Sequence, residues 1–445
     1  MVKVAYIVGS FPVPSQTFVA NQILGVQKCG HDVTVYTTDH PEGDIPPPID
    51  IGVLLNRTHS ICPPKNFVVR FFKVFGLLIM YGWRVPWVAV RALNVFKHGR
   101  LAVSLWLLHA ALTFVRIGER KYHIVHAQFG HFGLYALKLI QVGAIEGALV
   151  TSFRGYDATA GLRVDLQAYS ELFRKGRLFL PVSGSVARKL IEAGCEPSKI
   201  HVLHSGIDCV SLRYSPRRRP EGKPIKLVSV GRLVEKKGIT FAVEAVAKVI
   251  SAGRAVVYNI VGDGLFRDDI ERAIDQFDLK KSVHLLGWKS HEEVLGILEA
   301  SHVLLAPSIT SVDGDEEGIP NVVKEAMALG LPAISTVHAG IPELVVDGES
   351  GFLVPERSAD QLAERIVYLC DHPDIWSPIS RAARLKVETE FDLEKLSKDL
   401  VAIYAASLQQ LVTGAPQISR PVLVNGETPE AHSNPHRSKQ GSHEN

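Results

Sequence analysis

The chain has 445 residues, 46% of them hydrophobic and 21% charged, with a formal net charge of +3. At roughly 150 residues per domain that is room for two or three domains with real cores, and the composition excludes a collagen-like, coiled-coil or wholly disordered chain. So small a net charge gives no reason to expect nucleic acid as a partner.

Lys3 to Val8, running into Gly9-Ser10, reads as a buried parallel strand; its apolar run is too short for a signal peptide. The helical pattern of Thr17 to Cys29 and a second strand, Asp32 to Thr37, complete a βαβ unit. Pro41 to Pro48 is a turn-rich loop. Residues 66–120 interleave Arg70, Lys73, Arg84 and Arg91 with Phe71, Phe72, Trp83 and Trp87, and their only acid is Glu119. The apolar runs there fall short of the ~20 residues that span a bilayer, so amphipathic helices on an anionic membrane surface are expected. Strands follow at 123–127, 148–153, 178–182 and 200–203. Ser215 to Pro224, with three consecutive arginines, reads as a solvated linker. A second series then restarts, with strands at 225–230, 256–261, 283–286, 302–306, 333–336 and 351–354 and helices between them. Alternation of this kind predicts an α/β architecture, a doubly wound parallel sheet in each half with a cleft between. A last helix runs from Phe391 to Leu411 with Asp392 as its cap. From Thr413 the composition predicts disorder.

Chemistry is concentrated in the second half. Glu317-Gly318-Ile319-Pro320-Asn321-Val322-Val323-Lys324-Glu325 joins a loop to a helix starting at Pro320, where a missing N–H costs nothing. Gly318, Ile319, Pro320 and Asn321 would present backbone to an anion at that helix N-terminus. Glu317 and Glu325 can then address the two ends of a ligand whose phosphates lie between them. Arg232 and Lys237, in the loop after the 225–230 strand, supply two cations for a diphosphate. Val261-Gly262-Asp263-Gly264 is a further tight turn after a strand. The five cysteines, at 29, 62, 195, 209 and 370, form no Cys-x-x-Cys pair; reduced thiols in the cytosol are the simplest reading.

Together these strings, with Ser335 to Glu343 and Asp347 to Val354, resemble glycosyltransferase family 4, the retaining GT-B enzymes. The likeness covers most of residues 1–410. Pro14-Ser15-Gln16-Thr17-Phe18 and His126-Ala127-Gln128-Phe129-Gly130 look most like members that build bacterial exopolysaccharides. The resemblance implies two Rossmann-like domains facing a cleft, an acceptor-side domain over 1–214, a linker at 215–224, a nucleotide-sugar domain over 225–390, a terminal helix at 391–412 and a tail at 413–445. It places Glu317 on the donor sugar, Glu325 on the ribose, Arg232 and Lys237 on the diphosphate, and Gly9 in a loop closing the cleft. Thr151-Ser152-Phe153-Arg154-Gly155-Tyr156-Asp157 departs from the family's His-Gly-x-Asp. Arg154 cannot act as a base, which leaves it a phosphate or an acceptor hydroxyl to hold, with Asp157 completing the string and His126 as the nearest other imidazole.

The implied reaction moves a sugar from a nucleotide-sugar donor to a lipid-linked oligosaccharide at the inner face of the plasma membrane, with the enzyme peripheral on that surface. No cofactor and no required metal is expected: Asp313-Gly314-Asp315 mimics a metal motif of another fold, yet the cations already neutralise the diphosphate. Two alternatives stand beside this reading, an NAD-dependent oxidoreductase and a non-catalytic nucleotide-sugar-binding protein at the membrane.

Overall fold

In the computed structural model, residues 1–13, 17–39 and 52–413 are described. Residues 14–16 of the family string, the 41–48 loop and the tail beyond 413 lie outside them. The twelve named strands form two six-stranded parallel sheets. The first has the order β3-β2-β1-β4-β5-β6, with β1 Lys3–Val8, β2 Asp32–Thr37, β3 Thr58–Ser60, β4 Lys121–Gln128, β5 Glu146–Phe153 and β6 Leu178–Pro181. The second has the order β12-β11-β10-β7-β8-β9, with β7 Ile225–Val230, β8 Val256–Val261, β9 Val283–Leu285, β10 Val303–Ala306, β11 Ala333–Thr336 and β12 Phe352–Val354. Order reverses at β1/β4 and at β7/β10, so each sheet has its crevice there, at the carboxyl ends of its strands.

The strands are near-continuous apolar runs because both faces are covered. In the first sheet Trp106–Ile117 and Gly130–Val142 cover one face, while Thr17–Lys28 and Leu393–Thr413 cover the other. The terminal helix starts in the second half yet buries Leu400 and Tyr404 among Val4, Tyr6 and Ile124. Asp392 caps it, accepting from the Lys395 N–H at 3.0 Å. The second sheet is covered by Ile239–Ser251 and Ala359–Asp371 on one side and by Asn321–Leu329 and Trp376–Glu390 on the other.

Four expectations need correction. Residues 200–203 form no named strand; Ile200 makes a single bridge to Phe179. The short edge strand β3 and the Trp376–Glu390 helix were not foreseen. Arg217 is buried, donating from Nε to the Ser301 carbonyl and from Nη2 to Glu299 O at 3.1 Å, where it caps the His291–Ala300 helix. In the 66–120 segment, Trp106–Ile117 is core rather than surface: Leu107 to Val115 are all buried. Only the preceding helices carry an apolar face outward. Phe67–Tyr81 starts where the Asn66 side chain accepts from the Val68 and Val69 N–H groups. Its Val74 and Leu77 pack inward, and Phe72, Trp83 and Trp87 remain 67%, 74% and 73% exposed.

Candidate active site

The crevice of the second sheet gathers the predicted cations and carboxylates. Lys237 Nζ lies 3.1 Å from Glu317 Oε1, and Lys236 Nζ lies 2.8 Å from Asp315 Oδ2 and 3.7 Å from Glu317 Oε1. Burial pushes the Glu317 carboxyl up, but the two ammonium groups outweigh it and hold the pKa down to about 2. The backbone N–H of Glu317 donates to His338 Nε2 at 3.1 Å, leaving Nδ1 as the donor to Glu356 Oε1 at 2.6 Å. Arg232 is exposed at the rim. Gly262 backs this loop: a Cβ there would stand 1.9 Å from Gly231 O.

Two adjoining cavities share Asn321. One, of about 350 Å³, is lined by Arg154, Arg232, Lys237, Glu317, Gly318 and Asn321, with Ile319 and Pro320 also on its wall. The other, of about 700 Å³, holds Glu325, His291 and Asp208 together with Asn21 and Lys28 of the first half. Pro320 is the N-cap of the Asn321–Leu329 helix, which begins one residue after the predicted start, and leaves the first N–H groups of the helix toward the smaller cavity. Burial raises the Glu325 pKa, opposed by His291 and Lys324. Gly318 is required by close approach, since a Cβ would stand 2.7 Å from Arg154 O and 3.1 Å from Val182 Cγ2. The backbones of the two halves touch at that point.

Arg154 lines the smaller cavity. Its Nη1 donates to Ser205 Oγ at 2.8 Å, its Nη2 to Gln128 Oε1 at 2.7 Å and Gln22 Oε1 at 3.0 Å, and its Cζ lies 4.7 Å from the Phe18 ring centre. Burial lowers its pKa to about 10, still charged at neutrality.

The other predicted site residues are placed differently. His126 is fully buried and lines neither cavity. Its Nδ1 lies 2.5 Å from the Tyr404 hydroxyl and its Nε2 2.8 Å from Ser152 Oγ, and burial lowers its pKa to about 3. It is a neutral framework histidine, which corrects its assignment as catalytic. Asp157 is likewise a positioning residue, because its carboxylate accepts from the N–H groups of Gly130, Arg154 and Gly155 and so shapes the loop that presents Arg154. Gly9 lines neither cavity; it faces Phe132 and Asp39 at the other sheet's crevice.

Three contributors escaped the sequence reading. Lys236 and His338 stand within strings that were read for their neighbours. Lys324, fully buried, reaches from the 321–329 helix to the Ser205 carbonyl at 2.7 Å. A lysine on the buried face of a helix was the available signal.

Residues 213–386 match the family model "Glycosyl transferases group 1", and residues 15–210 match "Glycosyltransferase Family 4". WcaL of Escherichia coli, named for colanic acid biosynthesis, is 34% identical over 91% of this chain and 100% of its own length. AmsK of Erwinia amylovora, an amylovoran biosynthesis glycosyltransferase, is 33% identical over 90% of this chain and 98% of its own. The chain belongs to glycosyltransferase family 4. Its fold agrees: HepE of Anabaena, solved with UDP-glucose, superposes with a TM-score of 0.66 at 16% identity, covering 91% of this chain and 100% of that one. Sucrose-phosphate synthase of Thermosynechococcus elongatus gives 0.66 at 18% identity over 93% and 100%. The two halves are the Rossmann-like domains of a GT-B glycosyltransferase, which sets aside the oxidoreductase alternative.

Proposed function

We propose that this glycosyltransferase moves a sugar from a nucleoside-diphosphate sugar to a lipid-linked saccharide, with retention at the anomeric carbon, in the assembly of a bacterial exopolysaccharide. The observation that carries this reading is the pair of cavities meeting at Asn321, with cations and helix N–H groups at one end and Glu325 at the other. A diphosphate at the junction meets Arg232, Lys237 and the helix N-terminus, the ribose meets Glu325, and the sugar faces Glu317 and Arg154. Lys237 then exchanges part of its pairing with Glu317 for the phosphates. The anomeric C–O bond to the diphosphate breaks as the acceptor oxygen bonds to the same face of that carbon. The hydroxyl proton passes to the departing diphosphate, whose charge the cations stabilise where it develops.

The names of WcaL and AmsK, and the UDP-glucose held by HepE, support the polysaccharide and nucleotide-sugar parts of the reading. Metal-free action is proposed because Asp315 is paired with Lys236 and Asp313 with Ser311, which leaves the diphosphate to the cations. Attachment to the inner face of the plasma membrane is proposed from the exposed apolar helices of residues 67–103; among the described residues no helix is long and apolar enough to cross a membrane. The test is donor hydrolysis by purified protein over a panel of UDP-, GDP- and ADP-sugars, with and without EDTA. At least one donor is expected to be cleaved in EDTA. Binding without cleavage of any donor would favour the non-catalytic alternative, and loss in EDTA restored by magnesium or manganese would return Asp313 and Asp315 to metal duty.

A further inference from the structure

Glu317 sits in the loop of residues 307–320 that carries the chain from β10 to the Asn321–Leu329 helix, and no helix or strand fixes it there. Lysines hold the stretch around it. Lys236 pairs with Asp315 and donates to Glu316 O at 3.4 Å, Lys237 pairs with Glu317, and Lys189 of the first half pairs with Glu316. Ammonium groups on flexible stems are tethers that an anionic ligand can draw away, and Lys237 is one of the two cations proposed for the diphosphate.

The loop after β11 holds Glu317 differently. The Glu317 N–H donates to His338 Nε2 at 3.1 Å, and the Gly340 N–H donates to Gly318 O at 3.3 Å. Between His338 and Gly340, Ala339 has φ 45°, a left-handed conformation uncommon for a residue with a side chain. A backbone N–H can only donate, so Nε2 is the lone-pair nitrogen and the imidazole proton is on Nδ1. That proton goes to Glu356 Oε1 at 2.6 Å. Glu356, just after β12, also accepts from the Thr310 N–H at 2.9 Å and from Thr310 Oγ1 at 3.3 Å. Burial pushes the Glu356 carboxyl up, but the bonds from Thr310 and His338 outweigh it and hold it below the usual carboxylate range. Thr310, Glu356 and His338 thus join the loops after β10, β12 and β11, and the chain of bonds ends on the Glu317 backbone. The His338 side chain is 1% exposed, and of these four residues Glu317 alone lines the smaller cavity.

We infer that His338 is a positioning residue for transfer: as the neutral Nδ1–H tautomer fixed by Glu356, it keeps the Glu317 carboxylate at the donor sugar when the phosphates draw Lys237 away. The inference rests on the transferase reading above, in which Glu317 faces the sugar. Lys236 and Lys237 cannot serve that purpose, because they pull the carboxylate toward the phosphate end. A bond to the backbone fixes the loop and leaves both carboxylate oxygens free for hydroxyls.

Three variants of the full chain test this on whichever nucleotide sugar of the panel wild type cleaves fastest. His338→Leu removes the acceptor, and His338→Gln returns one through its side-chain oxygen. Glu356→Gln conserves volume while setting an amide N–H against either the imidazole Nδ1–H or the Thr310 N–H, and it serves where His338→Leu does not fold. His338→Leu should lower kcat by about tenfold or more, while calorimetric binding of the matching nucleoside diphosphate stays within about twofold of wild type. His338→Gln should recover most of that loss, and Glu356→Gln should lower kcat with nucleotide binding kept. Because His338 acts through Glu317, the double variant Glu317→Ala with His338→Leu should be no slower than Glu317→Ala alone. Additive losses, wild-type kcat in His338→Leu or Glu356→Gln, or a His338→Gln as slow as His338→Leu would each overturn the positioning role. If Glu317→Ala keeps wild-type kcat, the reading of the donor site fails; if Glu317→Ala is slow and His338→Leu is not, the positioning role alone fails.

Discussion

Glu317 lies in the loop before the Asn321–Leu329 helix and Glu325 in the middle of that helix, and they should fail differently. Glu325 faces the cavity assigned to the nucleoside, an interaction present in both ground and transition states. Glu325→Ala should therefore weaken nucleoside diphosphate binding by about 1.5–3 kcal/mol, or roughly 10- to 150-fold. Glu317 is paired with Lys237, so on the proposed reading Glu317→Ala frees a cation for the phosphates while removing the contact proposed beside the reacting carbon. Turnover should fall more than nucleotide affinity. Calorimetry of the nucleoside diphosphate beside steady-state transfer separates the two, and the reverse pattern would exchange the roles. Lys324 gives a pH signature. Burial lowers its pKa to about 7, with Glu325 opposing and Arg154 adding to the effect. The unfolded chain holds that proton up to about pH 10.4, so between the two values the unfolded state binds more protons and stability rises with pH. Below the folded pKa the buried charge costs stability in full, and above the unfolded pKa the cost is gone. The melting temperature of wild type relative to Lys324→Met should therefore climb from pH 7 to pH 10 and stay level between pH 5 and pH 6. A flat difference across the whole range would mean that the ammonium is never discharged.

At the scale of elements, the Phe67–Tyr81 and Pro86–Ala92 helices face outward with rings that a soluble surface would cover. The neighbouring Lys73, Arg84, Arg91, Lys97 and Arg100 are exposed too. Vesicles containing anionic phospholipid should bind the protein at low salt and release it progressively as salt screens the basic residues. Phe72→Ser combined with Trp87→Ser should reduce binding at every salt concentration, because the apolar part is unscreened. Equal partition with and without anionic lipid would count against the surface. Elements also mark the limit of what was legible beforehand. Strand positions in both sheets followed from short apolar runs, and the string from Glu317 to Glu325 placed the Asn321–Leu329 helix to within one residue of its start. Periodicity reports that a face is buried, never against what. Nothing near His126 in sequence reveals that Tyr404, 278 residues on, occupies its Nδ1. The same blindness made Arg217 look solvated, when its partners are carbonyls of a helix some eighty residues further along.

For the whole molecule, the halves are joined by more than the chain that passes between them. Glu343 of the second half accepts from the N–H groups of Gly184 and Ser185, at 3.0 and 3.3 Å, and so caps the Gly184–Glu192 helix of the first. Along that helix Lys189 pairs with Glu316 at 2.5 Å, immediately before Glu317. The Lys324 ammonium on Ser205 and the Gly318 backbone on Arg154 complete the contact. On the proposed reading donor enters between these surfaces, and the clasp would then set how often they part. Glu343→Ala removes charge-assisted hydrogen bonds worth about 1.5–3 kcal/mol, which shifts the ratio of parted to joined halves by roughly 10- to 150-fold. On the proposed reading donor contacts both halves, so a smaller joined fraction raises the apparent donor dissociation constant in inverse proportion to the fraction that remains. Rate at saturating donor should change little, since bound donor restores the joined form. Small-angle scattering should show a larger radius of gyration for Glu343→Ala than for wild type without ligand, and equal radii with nucleoside diphosphate saturating. If the radius and the donor KM both stay at wild-type values, the cap is local to its helix and the halves are held together by the remaining contacts.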